Sequence, residues 1–235
     1  ERVDFRKQHL LGISQKFDIP LISNGLRKLG VKIFVDPMHG SAAGCMSELF
    51  GSDGDELIYE LRTNRDPCFG GNPPEPMKAY LSELIKEVKD SFREGKLSMG
   101  IVFDGDGDRI AAIDEKGRYC NTQLLMPVLI DHLARFKNMP GCVVKTVSGS
   151  DLMRLVAEDL GREVLEKPVG FKYIAEEMLN DGGKLVCVDP LAERYLTEDL
   201  TEQDKFDNEN GWSFFKGQYD RFMANTAHLV SRDKI

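Results

Sequence analysis

Short β-branched runs alternate along this chain with longer stretches of helical periodicity. "VKIFV" (31–35), "MGIVF" (99–103) and "GCVVKTV" (141–147) are apolar and β-branched. That is the composition of strands buried on both faces. Between them "MKAYLSELIKEVKDSFREG" places Tyr80, Leu81, Leu84, Ile85 and Val88 on one stripe, the mark of an amphipathic helix. "LLMPVLIDHLARF", "SGSDLMRLVAEDLG" and "FKYIAEEMLNDGG" follow the same rule. Ser150 or Asp151 is a suitable N-cap for the second of these and Gly161 a suitable stop. Strands alternating with helices predict an α/β fold: two consecutive βα units with mixed or parallel sheets and helices on both faces. The predicted boundaries are a helix and loop segment at 1–30, a first unit at 31–119, a second at 120–188, and a remainder at 189–235.

Loops are equally legible. Asp36-Pro37 closes the first strand, and "RDPCFGGNPPEP" is dense in breakers. "MSELFGSDGDELIYEL" predicts a short helix, a turn at Gly54 and a second strand. "RIAAID" and "RYC" flank Glu115-Lys116-Gly117 as a hairpin. After Val188 the acid-rich "DPLAERYLTEDLTEQDKFDNENG" and the aromatic "WSFFKGQYDRF" continue neither unit.

The strand at 99–103 runs directly into Asp104-Gly105-Asp106-Gly107-Asp108-Arg109. Three carboxylates within five residues repel, and each raises the others' pKa. A divalent cation relieves that repulsion, and hard oxygen donors suit magnesium, calcium or manganese. The glycines allow the tight turn that makes the side chains converge. A solvated acidic turn is the plainer alternative. Counting from Asp104, the calcium-loop pattern D-x-[DN]-x-[DN]-G-x5-E is met at positions 1, 3, 5 and 12 (Glu115), but Arg109 stands where glycine is required. The flanks are also strand-like rather than helical. Magnesium is therefore the expected ion. Arg109 either pairs with a neighbouring aspartate or offers its guanidinium to a phosphate.

Net charge is −8, which argues against a nucleic-acid-binding role, since that needs a basic face. No apolar run reaches the roughly 20 residues of a membrane span. The five cysteines form no C-x-x-C pair, which argues against a disulfide framework or zinc site and for a reducing compartment. The chain starts at Glu1 without a signal-peptide pattern, so the cytoplasm is expected, or an organelle after removal of a leader.

"FDGDGDR" resembles the metal loop of the α-D-phosphohexomutases, the phosphoglucomutase and phosphomannomutase superfamily. "VDPMHGSAAG" (35–44) and "DPCFGGNPPEP" (66–76) are similar to the opening strand and a following loop of that family's second domain. "KTVSGSDLMRLVAEDLGREVLEKPVGFKYIAEEM" (145–178) resembles its third domain, and the likeness covers residues 30–180. The resemblance implies an enzyme of four domains in which a phosphoserine exchanges phosphoryl groups with a hexose phosphate, between the 1- and 6-positions. It implies Asp104, Asp106 and Asp108 as magnesium ligands, Arg109 as a catalytic neutraliser of the phosphoserine, and Gly170 and Lys172 as substrate-facing, with Lys172 also catalytic. An exposed lysine at a helix start is the plainer reading of Lys172.

The departures are specific. No T-A-S-H-N-P-like phosphoserine loop occurs in the 235 residues. Neither an E-S-G-G-type sugar loop nor an R-x-S-G-T-E-P-type phosphate loop is found. Ser148 and Ser150 precede a helix, where anions bind readily, but they belong to the third-domain pattern and read as a cap. Three explanations stand: a piece of a longer enzyme, domains supplied by a partner, or a degenerate relative serving as a structural subunit. Such a relative would meet protein partners through 189–235, which matches no part of the family.

Overall fold

The computed structural model describes residues 4–180. The notable sequence features beyond Asn180, including Cys187 and the 189–235 remainder, lie outside the described residues. In chain order the elements are α1 (Phe5–Ser14), α2 (Ile19–Leu29), β1 (Val31–Asp36), α3 (Cys45–Phe50), α4 (Gly54–Leu57), β2 (Ile58–Glu60) and α5 (Ser82–Arg93). There follow β3 (Leu97–Phe103), β4 (Ile110–Ile113), β5 (Tyr119–Cys120), α6 (Thr122–Arg135), β6 (Val143–Thr146), α7 (Asp151–Asp159), β7 (Val164–Lys167) and α8 (Phe171–Asn180).

The first sheet has the order β2-β1-β3-β4-β5. β1 pairs parallel with β2 and β3, whereas β3–β4 and β4–β5 are antiparallel. Crossovers through helices produce the parallel pairs, and the short loops at 104–109 and 114–118 produce the antiparallel ones. Alternating residues of each strand face opposite layers. Phe34 and Val102 pack with Leu81, Leu84 and Val88, and so cover one face with α5. Ile33, Val35, Met99 and Ile101 pack with Ile19, Leu26, Met46, Phe50 and Leu57, and so cover the other with α2, α3 and α4. The α/β class with helices on both faces is therefore observed. α2 joins this packing, capped by Asp18 at Leu21 N (2.8 Å) and closed by Gly30 at φ 65°.

Gly54 departs from expectation. It opens α4 with ordinary helical angles instead of turning the chain. A Cβ there would lie 2.6 Å from the Ser47 carbonyl oxygen. The residue is small because α3 passes close by, and not because a turn needs its freedom.

Asn121 caps α6 through Leu124 N (3.2 Å) and leads into the second sheet. There β6 and β7 pair parallel in register from Val143 with Val164 to Thr146 with Lys167. Ile130, Val143, Met153, Val156 and Ala157 form the core on the side of α6 and α7, and Cys142, Val144 and Ile174 the core on the side of α8. Ser150 caps α7 by accepting from Leu152 N (3.1 Å), as its position suggests. Among the described residues no helix is long and apolar enough to cross a membrane. Among the described residues, the cysteines at 45, 68, 120 and 142 form no disulfide.

Candidate functional site

Because β1, β2 and β3 run in the same direction, the loops that leave their carboxyl ends meet along one edge. That edge is where open parallel sheets gather ligands. The loops are 37–44, 61–77 and 104–109.

Asp36 ends β1, and its carboxylate is fully buried. Arg62 grips it with two hydrogen bonds, Nε to Oδ1 (2.8 Å) and Nη2 to Oδ2. Met38 N also donates to Oδ1 (3.0 Å), and Arg62 Nη2 reaches the Tyr80 carbonyl (3.3 Å). The network holds Met38, His39 and Arg62 at φ of 50°, 60° and 41°, which residues with a side chain seldom adopt. In the middle loop, Asp66 accepts from Cys68 N (2.8 Å) and Gly70 N (3.0 Å). Those two bonds hold its carboxyl below the usual range.

The aspartate loop is wedged between the other two. Gly105 N donates to Pro74 O (3.0 Å), and Ser41 N donates to Gly105 O (2.9 Å). Ser41 Oγ donates to Asp106 O (2.7 Å). A Cβ on Gly40 would sit 2.5 Å from Gly105 O, so only glycine permits this approach. Gly107, at φ 83°, turns the loop back toward β4.

Asp104 is buried, while Asp106 and Asp108 are exposed. Asp104 Oδ1 accepts from Gly107 N (2.9 Å) and Arg109 N (3.1 Å), and Oδ2 accepts from Arg109 Nε (2.6 Å). Burial raises the Asp104 pKa, but the backbone and side-chain bonds from Arg109 outweigh it, and the net shift is downward. Asp108 moves the other way, pushed up by the charges of Asp104 and Asp106. For Arg109 burial works downward, yet the Asp104 bond prevails and its pKa rises. The pairing of Arg109 with an aspartate is thus realised. It is made by Nε, which leaves the two Nη nitrogens with donors to spare.

One oxygen from each of the three aspartates lies within 4.8 Å of the others. Oxygens sharing one ion at about 2.1 Å lie at most about 4.2 Å apart. Sharing one ion would require the two exposed side chains to shift by a fraction of an ångström. The donor set is hard and triply negative, so the residues present fit a divalent cation.

Gly170 and Lys172 lie elsewhere, on the carboxyl edge of the second sheet. Gly170 sits at φ 137° ahead of α8, and exposed Lys172 holds its ammonium 4.7 Å from the Tyr173 ring centre. The same edge carries Lys145, buried in β6 and paired with Glu166 Oε2 at 2.6 Å. Thr146 and Ser148 share a hydroxyl bond of 2.8 Å there. Sequence reasoning passed over Lys145, Ser41 and the Asp36–Arg62 pair. A lysine inside "GCVVKTV" and an aspartate closing an apolar run were the available signals. Ser41 gave none, because its partner lies 65 residues away.

Fold and site together define a tandem α/β protein whose polar cluster stands at the carboxyl edge of a parallel sheet. The family model described as "Phosphoglucomutase/phosphomannomutase, alpha/beta/alpha domain II" matches residues 7–117, and that for domain III matches 121–188. The phosphoglucosamine mutase of Thermodesulfovibrio yellowstonii is 29% identical over 170 residues, covering 68% of this chain and 36% of that protein. Phosphoglucomutase 1 of Drosophila melanogaster is 29% identical over 163 residues, covering 66% of this chain and 28% of that one. The crystal structure of a candidate phosphomannomutase from Thermus thermophilus superposes with a TM-score of 0.67 at 26% identity, covering 81% of this chain and 42% of that one. The chain belongs to the α-D-phosphohexomutase superfamily. It spans about a third of the length of the curated relatives it matches.

Proposed function

We propose that this chain carries the magnesium-binding and part of the sugar-phosphate-binding apparatus of a phosphohexose mutase, one that moves phosphate between the 1- and 6-positions of a hexose phosphate. The convergence of Asp104, Asp106 and Asp108 beside Arg109, whose Nε holds Asp104, is the observation that carries this reading. When bound, magnesium would supply positive charge against the phosphoryl group in transfer. Asp104 is held ionised by its bonds from Arg109, so a ligand oxygen is preset. Arg109 is anchored through Nε and can turn Nη toward a phosphate oxygen, a role that charge-assisted bonding favours. On the second edge Lys172 would meet the substrate phosphate, with Gly170 letting backbone approach it. A reducing compartment is the setting we propose, in keeping with the absence of a disulfide among the described cysteines.

These 235 residues hold no phosphoserine loop, so binding without turnover is expected of them alone. Calorimetric titration of the chain with magnesium should give one site, and Asp106→Asn should weaken it at least about tenfold. Equal binding by the variant would place the ion elsewhere. A second reading, a non-catalytic relative acting as a structural subunit, draws support from the family matches ending at residue 188, ahead of an acidic and aromatic remainder. Magnesium affinity with no affinity for glucose 1-phosphate, mannose 1-phosphate or glucosamine 1-phosphate would favour that second reading.

A further inference from the structure

We infer that Ser41 is a positioning residue for the cation site, acting through the backbone of Asp106. The inference rests on the cation reading above and assigns a role to a residue outside the aspartate loop. Asp104 is fixed from within its own loop, by Gly107 N, Arg109 N and Arg109 Nε. Asp106 is exposed, and its backbone carbonyl is held from outside, by the Ser41 hydroxyl at 2.7 Å. The Ser41 amide takes the preceding carbonyl, that of Gly105, at 2.9 Å. One residue therefore grips two consecutive peptide groups at the apex of the loop.

Close packing on both sides leaves the seam little slack. A Cβ on Gly40 would overlap the Gly105 backbone, and one on Gly107 would lie 3.2 Å from Ser41 Oγ. On the far side, Gly105 N is tied to Pro74 O at 3.0 Å. Drawing three carboxylates onto one ion works against their repulsion, and a loop already ordered at its apex has less freedom to lose on binding. If the hydroxyl is removed, the Asp106 carbonyl can turn to water because the site is exposed. The loss should therefore fall on cation affinity and not on folding.

The test uses the full 235-residue chain with Mn²⁺ as the probe. Bound ion is followed by loss of the free-ion electron paramagnetic resonance signal, and the metal-free melting temperature is measured in parallel. Ser41→Ala should bind Mn²⁺ about tenfold more weakly, within the range for residues that orient ligands. Its metal-free melting temperature should match the parent's, and Ser41→Thr should restore affinity. Should the alanine variant not fold, Ser41→Cys keeps the size with a weaker donor, and intermediate affinity is expected. Parent-like affinity in Ser41→Ala or Ser41→Cys, with Asp106→Asn impaired, overturns the role of Ser41 and leaves the cation reading standing. Affinity lost together with melting temperature, and not restored by Thr, also overturns it. If the parent, Ser41→Ala and Asp106→Asn bind alike, the cation reading fails and this inference fails with it.

Discussion

Two carboxyl edges of parallel strands lie in this chain, and they are built oppositely. The first gathers three aspartates and is closed by backbone contacts among three loops, with glycines where those loops touch. The second gathers lysines at 145, 167 and 172 around a two-stranded sheet, and two of them are tied to glutamates. An acidic edge must be rigid, because its charges repel and only fixed geometry lets them share a counter-ion. A basic edge is held by long side chains, whose reach lets them adapt. The difference accords with the proposed roles, a metal ion at the first edge and a phosphate met by Lys172 at the second.

The largest effect should come from breaking the buried pair under the first edge. Asp36→Asn leaves Arg62 with an uncompensated charge in a site where the carboxylate is fully buried. We expect a loss of about 3–5 kcal/mol in urea unfolding, the cost of a half-removed buried pair. Lys145→Met on the second edge makes the contrast. It removes a buried ammonium whose partner Glu166 is half exposed and can return to water. A change near zero, or a gain, is expected there. Equal losses at the two positions would show that the edges do not differ in construction. Next in size is Gly40→Ala, where the added methyl meets backbone and not a flexible side chain. A cost of about 1–3 kcal/mol, seen in the same unfolding experiment, is expected, together with weaker magnesium binding.

The contrast also explains what could be read in advance. Strands and helices were legible because "MGIVF" and the Leu81-Leu84-Val88 stripe carry their period on their face. The aspartate triad was legible for the same local reason: its spacing is its geometry. What could not be read is whatever depends on contact between distant segments. Ser41 touching Asp106, Pro74 touching Gly105 and Arg62 gripping Asp36 are products of strand order. Gly54 shows the error this causes, since a glycine required by packing looks like one required by a turn. Lys145 was obscured differently, because a strand buried on both faces seemed to have no place for a charge.

A pH titration sharpens the acidic edge. Asp108 has a folded pKa above its ordinary value, raised by Asp104 and Asp106. The folded chain then binds more protons than the unfolded one between those two values, so this group's contribution to stability falls as pH rises through that window. Asp104 is the reverse: its lowered pKa contributes stability that is present at neutral pH and lost as pH falls below the ordinary carboxylate range. Bound magnesium requires both groups ionised. If the chain binds magnesium as proposed, the resulting rise in melting temperature should be full at neutral pH and begin to fade at the raised pKa of Asp108, before ordinary carboxylates titrate. In Asp108→Asn the magnesium effect that remains should lack that early fading.

The smallest effect on folding should come from Lys172→Met. The ammonium is exposed, and among the described residues it makes a cation–π approach of 4.7 Å to Tyr173, worth little in water. Stability should change by less than about 0.5 kcal/mol. If the second edge meets a sugar phosphate as proposed, binding of glucose 6-phosphate, followed by chemical shifts of residues 168–174, should nevertheless weaken. Because a basic edge works through charge at the tip of a flexible side chain, Lys172→Arg should keep most of the affinity. An acidic edge works through fixed geometry, so Asp106→Glu, which keeps the charge but lengthens the arm, should still lose magnesium. If Lys172→Arg loses the phosphate and Asp106→Glu keeps the metal, the two edges are not divided between reach and rigidity, and the contrast has to be redrawn on other residues.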